Sequence, residues 1–110
     1  MENKKIFDAV EFNNLKEIMY NSAKVYKDNN AFIIKNKENG QETYTNITYE
    51  KFLEDINSLG TALYSLNLKN KRVAVVGKNR YEWVLSHLSN MLGGIVSIPL
   101  DKDLQLEELT

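Results

Sequence analysis

Residues 72–101 read RVAVVGKNRYEWVLSHLSNMLGGIVSIPLD, and this stretch decides the fold class of the chain. Its first apolar run, Val73–Val76, stops at Gly77, and a segment with helical spacing follows. A second apolar run, Ile95–Ile98, precedes Pro99. Two β-branched runs on either side of a helix are typical of a βαβ unit, whose strands lie parallel and adjacent. We therefore expect an α/β fold with a partial parallel sheet.

The finer features of this unit follow from its residue types. Val73–Val76 is apolar on both strand faces, which is typical of a parallel strand covered on both sides. The expected helix cap is Asn79, with Glu82 three residues later. Gly93–Gly94 should end the helix, and Pro99 should end the second strand because it lacks an N–H donor. The expected apolar side of the helix comprises Tyr81, Val84, Leu85, Leu88, Met91 and Leu92, and its opposite face comprises Arg80, Trp83, His87 and Asn90.

The chain before this unit begins with a polar stretch and a short helix. We expect residues 1–13 to be a loosely held N-terminal arm. Asn14 is the expected cap of the helix, because Glu17 follows at the spacing of a capping box. Asp28–Asn30 should end it. Its expected apolar face comprises Leu15, Ile18, Met19, Ser22 and either Val25 or Tyr26.

A hairpin and the longest helix come next. Asn39–Gly40 suits positive φ angles, and it separates the strand-like runs Ala31–Ile34 and Glu42–Thr48, so we expect an N-terminal β-hairpin. Thr48 is a good cap for the helix that follows. Gly60 lies on the apolar stripe of that helix, and we expect it to permit close approach of a neighbouring element. The other members of the stripe are Tyr49, Phe52, Leu53, Ile56, Leu59, Leu63 and Leu66.

The composition excludes several classes of protein. A chain of 110 residues corresponds to about one small domain. The net charge of −1 does not favour a nucleic-acid partner. Because there is no Cys, disulfides and thiolate metal sites are excluded. The apolar runs are too short for a transmembrane segment, and the N-terminus lacks the apolar core of a secretory signal, so we expect a cytoplasmic protein.

The sequence contains no recognisable phosphate-binding loop. Gly77 stands alone, without the G-x-G-x-x-G or Walker spacing. An anion bound at the following helix N-terminus, beside Lys78 and Arg80, is an alternative to a solvated turn. His87 lies one helical turn after Trp83, and we expect it to stack or pack there rather than to catalyse.

The remaining polar residues also lack a catalytic pattern. Ser86, Ser89 and Ser97 do not lie in a G-x-S-x-G context. The carboxylates of Glu107–Glu108 should point in different directions and be solvated. We therefore assign no catalytic, cofactor-binding or metal-binding residue to this chain.

Four ordered segments nevertheless resemble those of a known family. Ile47–Glu50 resembles an L-T-Y-x-E segment, Lys71–Val75 a G-D-R-V-A-I strand, Asn79–Trp83 an N-x-x-E-W segment, and Met91–Asp101 an A-G-A-V-x-V-P-L-D segment. From Leu15 to Leu109 the chain resembles the N-terminal segment of an AMP-forming acyl-CoA synthetase, within the adenylate-forming ligases. The Pro-Leu-Asp-Lys-Asp-Leu ending is similar to the long-chain fatty-acid branch. Asn-Lys stands where the family usually has Gly-Asp before the strand.

The resemblance implies a fragment of a larger ligase domain. Residues 14–110 would be a partial N-terminal subdomain, incomplete at its C-terminus, whose first partner is the rest of its own polypeptide. The full-length parent would use ATP, Mg and CoA to convert a carboxylic or fatty acid into a thioester through an acyl-adenylate. The family's catalytic motifs lie further along the chain, so we expect this piece alone to bind no cofactor and to be inactive.

Two further expectations concern assembly and an alternative role. Because the elements that would cover Val73–Val76 and Ile95–Ile98 are partly missing, we expect a homodimer, a domain-swapped form or marginal stability. The alternative to a ligase fragment is a self-contained small α/β module that binds a partner or an anion without catalysis.

Overall fold

The computed structural model describes residues 11–105 and 107 of the chain. It confirms the α/β class, with an antiparallel hairpin followed by a βαβ unit. Residues 1–10 of the expected arm lie outside the described part. The elements are α1 (Leu15–Val25), β1 (Asn30–Glu38), β2 (Gln41–Thr48), α2 (Tyr49–Ser65), β3 (Arg72–Val76), α3 (Tyr81–Leu92) and β4 (Val96–Leu100).

Helix α1 begins where the capping pattern predicts. The Glu17 backbone N–H donates to Asn14 Oδ1 at 2.9 Å, and Glu17 Oε2 accepts from the Asn13 backbone N–H at 2.9 Å. The predicted apolar face was partly wrong, because the two buried side chains are Met19 and Ala23. They lie four residues apart and face the core together, whereas Ile18 and Val25 of the predicted face are exposed.

The hairpin forms around the predicted turn. Asn39 and Gly40 both have positive φ, 51° and 78°, which matches the twist of two antiparallel strands. The register pairs Glu38 with Gln41 next to the turn, and the ladder continues to Thr48. Asn39 and Gly40 therefore form a two-residue loop, which sets the register of the strand pairing.

Helix α2 is the central helix of the fold. Thr48 Oγ1 accepts from the Lys51 backbone N–H at 3.1 Å, as the sequence predicts. The helix packs between α1, α3 and the hairpin, and it buries Phe52 and Ile56. The buried core consists of Met19, Ile47, Phe52 and Ile56, surrounded by partly buried Ala31, Phe32, Ile34, Tyr81, Val84, Leu85, Leu88 and Leu92.

The prediction for Gly60 was wrong. A Cβ built at this position would meet no atom of the described residues within 4 Å, so no element approaches closely there. The glycine that packing does require is Gly93, where a Cβ would lie 2.9 Å from the Ser89 carbonyl oxygen. Gly94 follows with φ of 74° and ends α3 as predicted.

Strands β3 and β4 form a parallel pair, with Ala74 opposite Ile98 and Val75 opposite Pro99. Pro99 therefore lies within β4 rather than ending it. In the described part of the chain β4 pairs only with β3, and an edge strand tolerates the missing donor.

The parallel sheet is covered on one face only within the described residues. Val75 is 7% exposed on the face toward the helices, whereas Val76 is 56% exposed. The second face of β3 is thus uncovered, as expected where the elements that would cover these strands are partly missing. Val96 and Ile98 are also exposed, at 53% and 37%. An apolar sheet face, comprising Ala74, Val76, Val96 and Ile98, is left open.

Helix α3 begins one residue later than predicted and is rotated relative to its predicted faces. Its N-cap is Arg80 in extended backbone, so Asn79 does not cap it. Asn90, expected on the face opposite the apolar side, is 2% exposed, while Met91 of the expected apolar side is 45% exposed. The chain turns back after Leu92, so that the Ile95 N–H donates to the Asn90 carbonyl at 3.0 Å and the Asn90 side chain donates to Ser97 of β4.

Candidate functional site

A cavity of about 770 Å³ lies between the hairpin and the N-terminus of α3. Strand β1 contributes Phe32 and Lys35 to its wall, and the turn after β3 contributes Lys78 and Arg80. Tyr81, the first residue of α3, lies in the same wall. This cavity is the place where the anion-binding alternative would act.

The electrostatics of this helix N-terminus are mixed. Arg80 offers no side-chain oxygen to the first N–H groups of α3, and no side-chain capping bond is present at this position in the described structure. Lys78 and Arg80 bring positive charge, but Glu82 places a carboxylate in the first turn. Lys35 pairs with Glu42 at 3.1 Å. These basic residues therefore do not form, in the described structure, a set of hydrogen-bond donors that would select one ligand.

An aromatic cluster fixes the position of Tyr81. Its ring lies 5.0 Å from that of Phe32, in an edge-to-face arrangement, and 5.8 Å from that of Phe52. The Phe32 and Phe52 rings are 4.9 Å apart. Such pairs add to the free energy gained from burial, so the cluster joins the hairpin, α2 and α3 at one point.

The hydroxyl of Tyr81 completes a polar link between α2 and α3. It donates to Asp55 Oδ2 at 2.6 Å, and Lys51 Nζ contacts Asp55 Oδ1 at 2.8 Å. Burial raises the pKa of Asp55, but the hydrogen bonds from Lys51 and Tyr81 outweigh it and hold that pKa below its ordinary value. Burial and the Asp55 carboxylate both raise the pKa of Tyr81. The carboxylate thus stays charged and the phenol stays protonated.

A second polar cluster joins α3 to β4. Ser97 Oγ lies 2.8 Å from His87 Nδ1, and it accepts a hydrogen bond from Asn90 Nδ2 at 3.2 Å. The His87 ring stacks on Trp83, with ring centroids 5.1 Å apart and an interplanar angle of 31°. The expectation that His87 stacks or packs against Trp83 is thus confirmed.

This contact has the elements of a Ser–His pair, since a serine hydroxyl lies within hydrogen-bond distance of an imidazole. Ser97, however, is the second residue of β4, opposite Val73, and is half-buried against α3. A nucleophile must be reachable from a substrate cleft. The arrangement therefore serves packing between helix and sheet.

The comparison with protein families decides the identity of the fold. A family model described as AMP-binding enzyme matches residues 19–110. The chain belongs to the AMP-binding enzyme family. The match begins inside α1 and includes the hairpin, α2 and the whole βαβ unit.

A solved structure supports the same fold. The crystal structure of IdnL1 matches this AMP-binding family member with a TM-score of 0.71 and 17% sequence identity. The match covers 91% of this chain and 20% of that chain, so the chain spans a fifth of the length of IdnL1. At this identity the similarity shows the fold alone. None of the curated proteins matches the chain.

The site residues of this family member were not assigned from sequence, and the structure shows which contacts that reasoning missed. Neither the contact of Tyr81 with Asp55 nor the contacts of Ser97 with His87 and Asn90 were predicted from the sequence. Helical spacing placed His87 and Asn90 on one face, and alternation along β4 could have turned Ser97 toward them.

Among residues 11–105 and 107 no group of three His, Cys, Asp or Glu side chains could hold a metal ion. Within that same part, no helix is long and apolar enough to cross a bilayer.

Proposed function

We propose that the chain is the N-terminal part of an ATP-dependent acyl-CoA synthetase. The observation that carries this proposal is the match to the AMP-binding family over residues 19–110. The order of its sequence segments supports the finer assignment, since they resemble those of acyl-CoA synthetases from Ile47 onward and end in a form similar to the long-chain fatty-acid branch.

The proposed reaction has two steps. A substrate carboxylate oxygen attacks the α-phosphorus of Mg-ATP, which forms an acyl-adenylate and releases pyrophosphate. The sulfur of CoA then attacks the acyl carbon, forming a thioester and releasing AMP. We assign none of the reacting groups to this chain, and its role in the proposal is to provide framework through α2 and the β3–α3–β4 unit.

The open sheet face supports a framework role. Val76, Val96 and Ile98 are exposed apolar residues on adjacent parallel strands, and parallel sheets in proteins are covered on both faces. We propose that residues 14–110 form a partial subdomain and that further parts of the same polypeptide cover this face. IdnL1, of which this chain covers 20%, has chain beyond the matched part.

Pyrophosphate exchange tests the proposal. The purified 110-residue chain should give no acid-dependent exchange between ATP and labelled pyrophosphate. A longer polypeptide from the same gene should give exchange with a fatty acid and form acyl-CoA when CoA is added. Exchange by the 110-residue chain alone would contradict its assignment as framework.

The same assay separates the substrate classes. Fatty acids of increasing chain length should support exchange, while amino acids should not. A longer polypeptide that exchanges pyrophosphate only with amino acids would retain the family but overturn the acyl-CoA synthetase assignment.

A further inference from the structure

The cavity of about 770 Å³ beside the hairpin follows one edge of β1. Consecutive residues of that strand, from Phe32 to Asn36, line one wall, and residues 78–84 line the other. Successive side chains of a strand point to opposite faces, so a cavity against one face would contact only alternate residues. Of the described residues, none from β2 contributes to the lining. The cavity therefore lies along the edge of β1 that is turned away from β2, and we call it the edge groove.

The backbone of β1 presents unused hydrogen-bonding groups to the edge groove. In an antiparallel pair, every second residue directs its N–H and C=O away from the partner strand. The pair that closes a two-residue loop is hydrogen-bonded, and here it is Glu38 with Gln41. Alternation from that pair leaves Ile33 and Lys35 as the residues that direct their backbone groups into the groove. In the described structure, neither backbone forms a hydrogen bond outside the hairpin.

These backbone groups fit an added strand. An unpaired strand edge is a template for pairing with another segment, and β1 has a continuous register from Phe32 to Glu38. A row of backbone donors and acceptors selects an extended backbone, which the basic side chains beside the groove do not. A second copy of this chain is a poor partner, because antiparallel pairing of β1 with itself would bring Lys35 and Lys37 of both copies close together.

The walls of the edge groove define the side chains that such a strand should carry. Tyr81 and Val84 of α3 line the groove and are half-buried, so they offer apolar contacts to the strand face that meets α3. Lys78 and Arg80 line it as well, and neither forms an ion pair with another described residue. Glu82 is the one acidic residue of the described lining. The groove therefore favours a strand that combines apolar side chains with acidic ones.

We propose that the edge groove receives an acidic, extended segment of the parent polypeptide as an added strand on β1. This segment follows residue 110 in the parent, so the proposal rests on the proposed function, in which the chain is part of a longer ligase. The match covers 20% of IdnL1, and a polypeptide of that length has further chain to supply the strand. The backbone of the segment pairs with Ile33 and Lys35, its apolar side chains contact α3, and its carboxylates lie beside the basic residues of the groove.

Peptide binding to the isotopically labelled 110-residue chain, followed by amide NMR, tests the proposal. A strand of five residues, about 17 Å long, spans the part of β1 that lines the groove, so the probe is acetyl-Glu-Val-Glu-Val-Glu-amide. We expect shifts concentrated at residues 32–36 and 78–84, a Kd on the order of 0.1–1 mM, and slower hydrogen exchange of the Ile33 and Lys35 amides. The same peptide with Lys in place of Glu should bind at least about tenfold more weakly.

Methylated peptides separate strand addition from simple charge attraction. An added strand uses the N–H groups of alternate residues on one edge, so methylation of the Val nitrogens and methylation of the Glu nitrogens should have different effects. One of the two methylated peptides should bind at least about tenfold more weakly, and the other should bind within about twofold of the unmethylated peptide. Equal effects of the two patterns would overturn the proposal.

Proline at two paired positions tests which edge of the hairpin binds. Ile33 lies opposite Asn46, and both N–H groups are directed out of the ladder, so proline at either position leaves the hairpin pairing intact. Ile33→Pro removes a donor from the groove and should weaken binding of the acidic peptide at least about tenfold. Asn46→Pro, the matched control, acts at the opposite edge and should bind like the unmodified chain. Binding that Ile33→Pro leaves unchanged would contradict strand addition at β1.

Neutral variants test the role of charge. The double variant Lys78→Gln with Arg80→Gln should weaken binding of the acidic peptide about fivefold to tenfold and remove its advantage over the Lys peptide. Lys24→Gln with Lys27→Gln removes the same charge near the end of α1 and should bind within about twofold of the unmodified chain. Equal losses in the two double variants would mean a general attraction and would overturn the proposal.

Each variant should first show an amide spectrum as dispersed as that of the unmodified chain, and if Ile33→Pro does not, the methylated peptides decide the question. A longer polypeptide from the same gene should not bind the acidic peptide, because its own segment occupies the groove. Binding to it as tight as to the 110-residue chain, or no shifts in the 110-residue chain at millimolar peptide, would overturn the proposal. Pyrophosphate exchange by the longer polypeptide tests the proposed function separately, so the two failures are distinguishable.

Discussion

Asp55 links helices α2 and α3 through an ion pair and a hydrogen bond. It accepts a 2.6 Å hydrogen bond from Tyr81 and pairs with Lys51 one turn earlier on α2. Its carboxylate side chain is 24% exposed, so the two contacts are only partly screened by solvent. Because α2 and α3 also meet through the aromatic cluster, this carboxylate adds a polar contact to an interface that the rings already hold together.

The lowered pKa of Asp55 predicts a pH dependence of stability. A carboxyl whose pKa is lower in the folded state than in the unfolded state stabilises the fold above its unfolded pKa. That contribution is lost as the pH falls through the folded value, below about pH 4. Asp55→Asn should therefore flatten the stability profile in this range. Urea denaturation followed by circular dichroism between neutral and acid pH measures it.

The control is Glu54→Gln, which removes an exposed carboxylate next in sequence. It should retain the acid-dependent loss of stability. An Asp55→Asn variant with the same acid profile as the unmodified chain would contradict the role assigned to this carboxylate.

The hairpin depends on the left-handed backbone of the two residues at its turn. Asn39 and Gly40 both hold positive φ, which costs a residue with a Cβ about 1–2 kcal/mol unless it is Asn or Asp. A Cβ at Gly40 would touch no described atom within 4 Å, so the cost of a substitution there is that of the backbone alone.

Alanine at two glycines should therefore have opposite effects on stability. Gly40→Ala should lower the free energy of unfolding by about 1–2 kcal/mol, because the backbone must stay left-handed. Gly60→Ala, its matched control, should raise it by about 0.5–1 kcal/mol, because α2 gains a better helix former in open space. Chemical denaturation measures both, and two changes of the same sign would contradict this account.

The elements that could be predicted from sequence are those specified by local patterns. The caps at Asn14 and Thr48, the Asn39–Gly40 turn and the βαβ unit depend on residues close together in the chain, and all are present. The side-chain partners of Ser97 and Asp55 depend on how elements pack, which local spacing does not contain. Helix α3 illustrates the difference, since its existence was predicted but its buried Asn90 was not.

At the scale of the whole molecule, the open face of the parallel sheet governs behaviour in solution. Ala74, Val76, Val96 and Ile98 form a contiguous apolar surface on one side of β3 and β4, and such surfaces mark interaction sites. The expected self-association of the isolated chain stays a prediction that this surface supports.

A double variant, Val76→Thr with Val96→Thr, should self-associate less than the unmodified 110-residue chain. Threonine keeps the branched shape that suits a strand but adds a hydroxyl to the exposed face. Sedimentation over a range of concentrations should show a lower average mass for the variant. A matched change at the exposed Ile33 of the hairpin, Ile33→Thr, should leave the average mass unaltered. An unmodified chain that stays monomeric at high concentration would contradict the prediction.

The order of elements has a consequence for synthesis on the ribosome. β1 pairs with β2, β3 pairs with β4, and α2 packs against the helices directly before and after it in sequence. Contacts between neighbours in sequence favour rapid folding, and chains emerge at about 5–20 residues per second. Each layer can therefore acquire its partner as soon as the next element leaves the exit tunnel. This part of an AMP-binding enzyme can therefore assemble while it is being translated.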